Sequence, residues 1–131
     1  MSQENVEIAL RFEQAIDARE VPEALLAPDF EWFPVTMRAV EGDGYRGPEG
    51  LTAYFQTVSE TWEEMRLIVE EARDLDDKVL VLGRMQARGR GSHVPVDEAM
   101  AAIHGLRAGK IARVRVYLDI DAALQAVGLE E

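Results

Sequence analysis

The chain has 131 residues, 47% of them apolar, a formal net charge of −11 and no cysteine. That is one domain's worth of chain, with enough apolar material for a core that needs no cross-links. Disulfides, thiolate nucleophiles and thiolate metal sites are excluded, and the negative charge disfavours nucleic acid and anionic membrane as partners.

The opening Met1-Ser2-Gln3-Glu4-Asn5 has neither a basic segment nor an apolar run, so no secretory signal is expected. No apolar stretch nears the roughly 18 residues of a membrane span. The expectation is a single domain over residues 1–131, soluble and cytoplasmic.

The first helix should begin after Ser2, a suitable N-cap, with Glu4 in the first turn. Ile8, Phe12, Ala15 and Ile16 have the spacing of one buried helical face, and the helix should stop near Ala18. A second, short helix is expected over Pro22 to Leu26, with proline in its first turn and Pro28-Asp29 ending it. Phe30 to Val35 reads as a short strand, with Pro34 marking its end or a sheet edge. Glu41 to Pro48 holds three glycines and a proline, a loop composition. A third helix is expected from Pro48 to Trp62, with Leu51, Tyr54, Phe55 and Val58 on its apolar side.

Met65 to Leu75 reads as a strand, ended by the polar turn Asp76-Asp77-Lys78. The strongest signal follows. Three long strands are separated by Gly89-Arg90-Gly91-Ser92 and Ala108-Gly109. In the first, Val79, Val81, Gly83, Met85 and Ala87 point one way, and Leu80, Leu82, Arg84, Gln86 and Arg88 the other. In the second, one face is Val96, Glu98, Met100, Ala102, His104 and Leu106. In the third, Ala112, Val114, Val116 and Leu118 oppose Ile111, Arg113, Arg115 and Tyr117. One sheet face is thus apolar and the other rich in arginine. Asp119 and Asp121 suit the start of a closing helix that ends at Gly128. Helices followed by a bent antiparallel sheet form an α+β layer arrangement, and a sheet wrapped around a helix leaves a cone whose mouth suits a small molecule.

Few residues offer chemistry. His104 shares the inward face with Ala102 and Met100, and histidine titrates near neutrality, so it is the candidate general base or acid. The plainer alternative is a buried histidine satisfied by a hydrogen bond. Glu98 lies on the same face, about 20 Å further along the strand, beyond pairing distance. Trp32 and Tyr54 can offer an indole N–H and a hydroxyl to a ligand, or simply pack. Asp119 reads as an N-cap. Tyr45 and Arg46 sit in the glycine-rich loop, either edging the mouth or serving as ordinary loop residues. The run Arg84 to Arg90 could meet phosphate, or be a solvated or dimer-facing side of a strand. Two histidines, His93 and His104, without ligand spacing give no metal site. No dinucleotide, phosphate-loop or nucleophile-elbow motif is present, so no cofactor is expected.

The order of elements, with Asn5-Val6-Glu7, Pro28-Asp29-Phe30-Glu31-Trp32, Arg46-Gly47-Pro48-Glu49-Gly50-Leu51 and the stretch from Gly109 to Asp119, resembles the SnoaL-like branch of the nuclear transport factor 2-like superfamily, which includes polyketide cyclase and ketosteroid isomerase relatives. The resemblance covers nearly the whole chain. It implies a conical barrel, a curved and mostly antiparallel sheet wrapped around N-terminal helices, with a pocket between sheet and helices. It also implies a homodimer through the outer sheet face, which the arginines 84, 88, 113 and 115 with Leu80, Leu82 and Tyr117 would suit.

Residue by residue, the resemblance withholds the known mechanisms. The ketosteroid isomerase tyrosine falls on Phe12, the proton-shuttle aspartate on Phe33 and the oxyanion aspartate near Ala102. The arginine and aspartates of limonene-epoxide hydrolases fall on Gly83, Met85 and Val116. None of these can perform the original role. The expected lining is Phe12, Trp32, Phe33, Tyr54, Phe55, Met85, Met100 and Val116, which is apolar and aromatic. Three readings stay open: a proton-transfer cyclase or isomerase acting on a small apolar ketone or polyketide-like compound, a non-catalytic module for an apolar ligand, and a dimeric scaffold with a filled cone.

Overall fold

In the computed structural model, residues 2–34 and 44–128 are described. Helix α1 spans Ser2–Asp17. Its buried stripe is Ala9, Phe12, Glu13 and Ile16, while Ile8 and Ala15 are only half-buried. The stripe is therefore rotated from the expected one and takes in an acid. The helix ends where Arg19 adopts a left-handed conformation (φ 60°). The Arg19 guanidinium then donates to the carbonyls of Asp17 and Met65, tying the helix end to the sheet.

The second expected helix is only a 3-10 turn, Glu23–Leu25. Strand β1 follows at once over Leu26–Phe33, so Pro28-Asp29 lies inside a strand and breaks nothing. Both residues are exposed and the pairing with the strand Lys110–Tyr117 is irregular across them, which is how a strand accommodates a proline that cannot donate. Val35 and the loop residues up to Asp43 lie outside the described residues. Within the expected loop, Tyr45–Arg46 form a short strand β2. Helix α2 spans Gly47–Thr61, with Pro48 in its first turn.

Four long strands complete the sheet: β3 (Trp62–Asp74), β4 (Lys78–Gly89), β5 (Pro95–Arg107) and β6 (Lys110–Tyr117). Helix α3, Ile120–Ala126, closes the description, and Asp119 caps it as expected, its carboxylate accepting from the Ala122 N–H at 3.2 Å. The strand order is β2-β1-β6-β5-β4-β3. Every neighbouring pair is antiparallel except β1 with β6. The result is an α+β fold, a cone-like curved sheet that stays open between its edge strands.

Two of the sheet's bulges bear on which side chains face inward. Glu70 is an extra residue of β3 opposite the Leu82–Gly83 step. Gly83 permits it, because a Cβ there would sit 1.9 Å from the Ile68 carbonyl oxygen. On β6, the step from Ile111 to Arg113 faces the single step from Leu106 to Gly105, leaving Ala112 as the extra residue. This bulge corrects the alternation. Ile111, expected beside the arginines, is fully buried in the main core with Leu106 and Val114.

That core fills the concave side, with α1 and α2 laid across it. On the convex side, Leu80 is fully buried under α3, with Ala101, Ala123 and Leu124. Helix α3 therefore covers part of the face that the sequence offers as a dimer surface.

Candidate functional site

The concave face buries one polar pair. Register places His104 of β5 between Val79 of β4 and Val114 of β6, all inward. One α-helical stripe places Glu13 above it. His104 is fully buried and Glu13 is 3% exposed; among the described residues these are the buried charged or polar side chains besides Tyr54. Nε2 of His104 lies 2.7 Å from Oε2 of Glu13, and Nδ1 lies 3.3 Å from the Val79 carbonyl oxygen.

A carbonyl only accepts, so the satisfied state puts a proton on Nδ1. A further proton then sits between Nε2 and Oε2, as imidazolium with carboxylate or as imidazole with carboxylic acid. Either way the pair is neutral as a unit. Oε1 of Glu13 makes no hydrogen bond among the described residues. Stability alone does not explain such a pair. Burying two ions costs several kcal/mol each, and an apolar pair of similar volume often folds as well or better.

A file of aromatic rings leads away from the pair. Phe12 meets His104 edge-on at 5.7 Å and also touches Phe30 and Trp32. Trp32 meets Tyr54 at 5.3 Å, and Tyr54 meets Tyr45 and Phe55 at 5.7 and 5.8 Å. Such tilted and edge contacts are the favoured geometry for rings. Midway along the file, the Trp32 indole N–H is buried and has no hydrogen-bond partner. Tyr54 is buried at 4% exposure, its hydroxyl 3.9 Å from the Met65 sulfur, and burial pushes its pKa above the ordinary tyrosine range.

Phe12, Trp32, Tyr54, Met85 and Met100 thus gather in one core cluster, with Phe55 and Val116 half-buried against it. Phe33 is the exception. Alternation along β1 turns Trp32 inward and Phe33 outward, where the guanidiniums of Arg113 and Arg115 lie over its ring. Glu98 is exposed. Of the basic run, Arg84 pairs with Asp97 at 2.6 Å and Arg90 donates to the carbonyls of Ser59 and Trp62. Glu13 was not among the sequence candidates. Its signal was there to read: an acid in the i, i+3, i+4, i+7 stripe Ala9, Phe12, Glu13, Ile16.

His104 lines none of four voids that lie among the described residues. One of about 590 Å³ lies at the hairpin ends near Asn5, Asp76 and Gly109. Another of about 510 Å³ lies beside Asp29, Glu31 and Arg46. A groove of about 210 Å³ runs along the convex face. A narrow crevice is lined by Tyr54, Met65 and Arg19. No group of three or more His, Asp or Glu that could hold a metal occurs among the described residues. No described helix is long and apolar enough to cross a membrane.

Comparison with known proteins gives a consistent result. The chain is similar in structure to an NTF2-like protein of unknown function from Burkholderia pseudomallei, at 19% identity and TM-score 0.76, over 95% of this chain and 97% of that one. It is likewise similar to TerC co-crystallised with polyporic acid, at 20% identity and TM-score 0.76, over 95% and 98% of the two chains. A third such structure is a protein of ketosteroid isomerase-like fold from Catenulispora acidiphila in complex with trimethylamine, at 18% identity and TM-score 0.72, over 94% and 93%. At these identities the likeness is one of fold. A search of curated protein sequences finds no match. The SnoaL-like domain model matches residues 9–114, and with most of its length inside that match the chain belongs to the SnoaL-like domain family.

Proposed function

We propose that this chain is a small-molecule pocket protein that catalyses proton transfer, of the cyclase or isomerase kind, on a small apolar ketone or polyketide-like compound. The observation that carries this reading is the buried His104–Glu13 pair beneath an aromatic interior. Ionisable groups kept in a low-dielectric interior at a cost to stability are characteristic of sites that move protons.

The roles follow from the free valences. Both ring nitrogens of His104 are engaged, and Glu13 retains Oε1. Glu13, as carboxylate, takes the proton from the carbon beside the carbonyl through Oε1. The C–H electron pair passes into the enolate. His104, as imidazolium, holds Glu13 in place, and once the proton has moved the pair carries a positive charge next to the enolate's negative one. In a dry interior that attraction is strong. The unpartnered Trp32 N–H is the donor for the enolate oxygen, and the rings of Phe12, Tyr54 and Phe55 hold the apolar body. Return of the proton to a second carbon completes an isomerisation.

One observation favours a second reading, a dimeric module whose cone is filled: His104 lines none of the four voids. Deuterium exchange into a panel of steroid, terpenoid and aromatic ketones separates the two. The proton-transfer reading expects exchange by the natural chain and its loss in Glu13→Gln, with the variant's melting transition intact. Absence of exchange across the panel, together with no ligand-induced rise in melting temperature, would replace it with the filled module.

A further inference from the structure

The convex face of β6 holds Arg113 and Arg115, two residues apart and hence on one side of the strand. Their guanidinium carbons lie 4.7 and 4.3 Å from the centre of the Phe33 ring. Phe33 is buried beneath them, and Gly44 lies against the same ring, where a Cβ would come within 2.7 Å of it. Stacking on an aromatic face fixes the plane of a guanidinium and leaves its N–H edge free to donate.

Neither arginine makes an ion pair or a hydrogen bond among the described residues. Arg46, Arg66, Arg73, Arg84 and Arg107 each have a carboxylate partner. Among the described residues Arg11, Arg19, Arg88 and Arg90 have no carboxylate partner either, but Arg113 and Arg115 are the two that lie together over one aromatic ring. They border the convex groove of about 210 Å³, together with Lys78, Ile103, Gly105 and Tyr117. Register puts Lys78, Gly105 and Arg113 in one row across β4, β5 and β6. The backbones of Lys78 and Arg113 therefore stand about 10 Å apart, two strand spacings, with a glycine between them as floor. The last turn of α3 reaches the groove at Ala126. Lys78 has the exposed Asp77 carboxylate 3.9 Å from its ammonium, so that acid and the C-terminal dipole of α3, about half a negative charge, are set against three positive charges.

We propose that this groove binds a small organic oxyanion, a carboxylate or phosphate ester. Its charged group lies between Lys78 and the Arg113–Arg115 pair, and its apolar body rests on Ile103 and Tyr117. The site lies on the opposite face of the sheet from the His104–Glu13 pair and does not depend on the interior reading.

The probes are benzoate and phenyl phosphate, titrated at low salt and followed by amide chemical shifts. Saturating shifts at Gly105, Arg113 and Arg115 are expected, weakening as salt rises. An Arg113→Gln/Arg115→Gln double variant should bind at least about tenfold more weakly, the loss of two charge-assisted contacts. Arg84→Gln, whose side chain belongs to the Asp97 pair outside the groove, should bind as the natural chain does. Shifts that never saturate, or that survive the double change, would overturn the proposal. So would sedimentation revealing a stable dimer that the double change dissolves while benzoate leaves it untouched, since a second copy would then occupy the groove.

Discussion

The concave and convex faces of the sheet share every backbone hydrogen bond and differ in how they handle charge. On the concave face, Val79, Val81, Met85, Met100, Ala102 and Val114 are almost completely buried, and the ionisable groups among them are the coupled pair His104 and Glu13. On the convex face, charges meet in exposed pairs such as Arg84 with Asp97, or lie on an aromatic ring as Arg113 and Arg115 do. A pair buried at 0% and 3% exposure feels little screening, whereas Arg84 and Asp97, with side chains 39% and 54% exposed, are largely screened by water. Removing one partner is thus costly on one face and nearly silent on the other.

The sharpest way to break this comparison is to remove one partner from each face. His104→Ala leaves a buried carboxyl without its partner and should cost about 3–5 kcal/mol in chemical denaturation. Replacing Glu13 and His104 together by leucine should restore much of that loss while abolishing proton exchange. A double variant as unstable as the single one would mean the pair holds the fold together.

Gly83→Ala comes next. A Cβ would strike the Ile68 carbonyl, which is backbone and cannot swing away, so a loss of about 1–3 kcal/mol is expected, read as a lower melting temperature. A third effect concerns pH. The Tyr54 hydroxyl has its pKa raised by burial, so the folded state keeps its proton where the unfolded state releases it. Its contribution is fully present below pH about 10, the unfolded tyrosine value, and is lost as pH rises from there toward the higher folded value. Tyr54→Phe should flatten the alkaline fall in stability measured by urea denaturation at pH 9 to 11. Smallest of all, Arg84→Gln should leave the urea denaturation midpoint essentially unchanged, at low salt and at high salt alike. A convex-face change as costly as His104→Ala would refute the contrast between the faces.

Much of this was legible in the chain. Alternation in β4 and β5 gives the inward row of Val79, Val81, Met85, Met100, Ala102 and His104, because strand periodicity is strict where no residue is inserted. It fails at Ile111, where a bulge of one residue reverses the phase. Phe33 and Trp32 are equally bulky and apolar, and a short strand with its proline-containing stretch does not reveal which of the two faces inward. Glu13 was hidden for another reason. A helical-face reading selects apolar residues, so the acid that completes the site was passed over in favour of Ile8 and Ala15. Nor does alternation reveal that Leu80, offered to a dimer surface with Leu82, is covered by α3.

The most direct test of the interior pair is nitrogen-15 NMR of the histidine rings. His93 is exposed beside Glu63, whereas His104 is sealed between Val79 and Glu13. The predicted result is slowly exchanging ring N–H signals for His104, shifted by Glu13→Gln, and fast solvent exchange for His93. Ring protons of His104 that exchange as fast as those of His93, and ignore Glu13→Gln, would contradict a buried proton-holding pair at the centre of this protein.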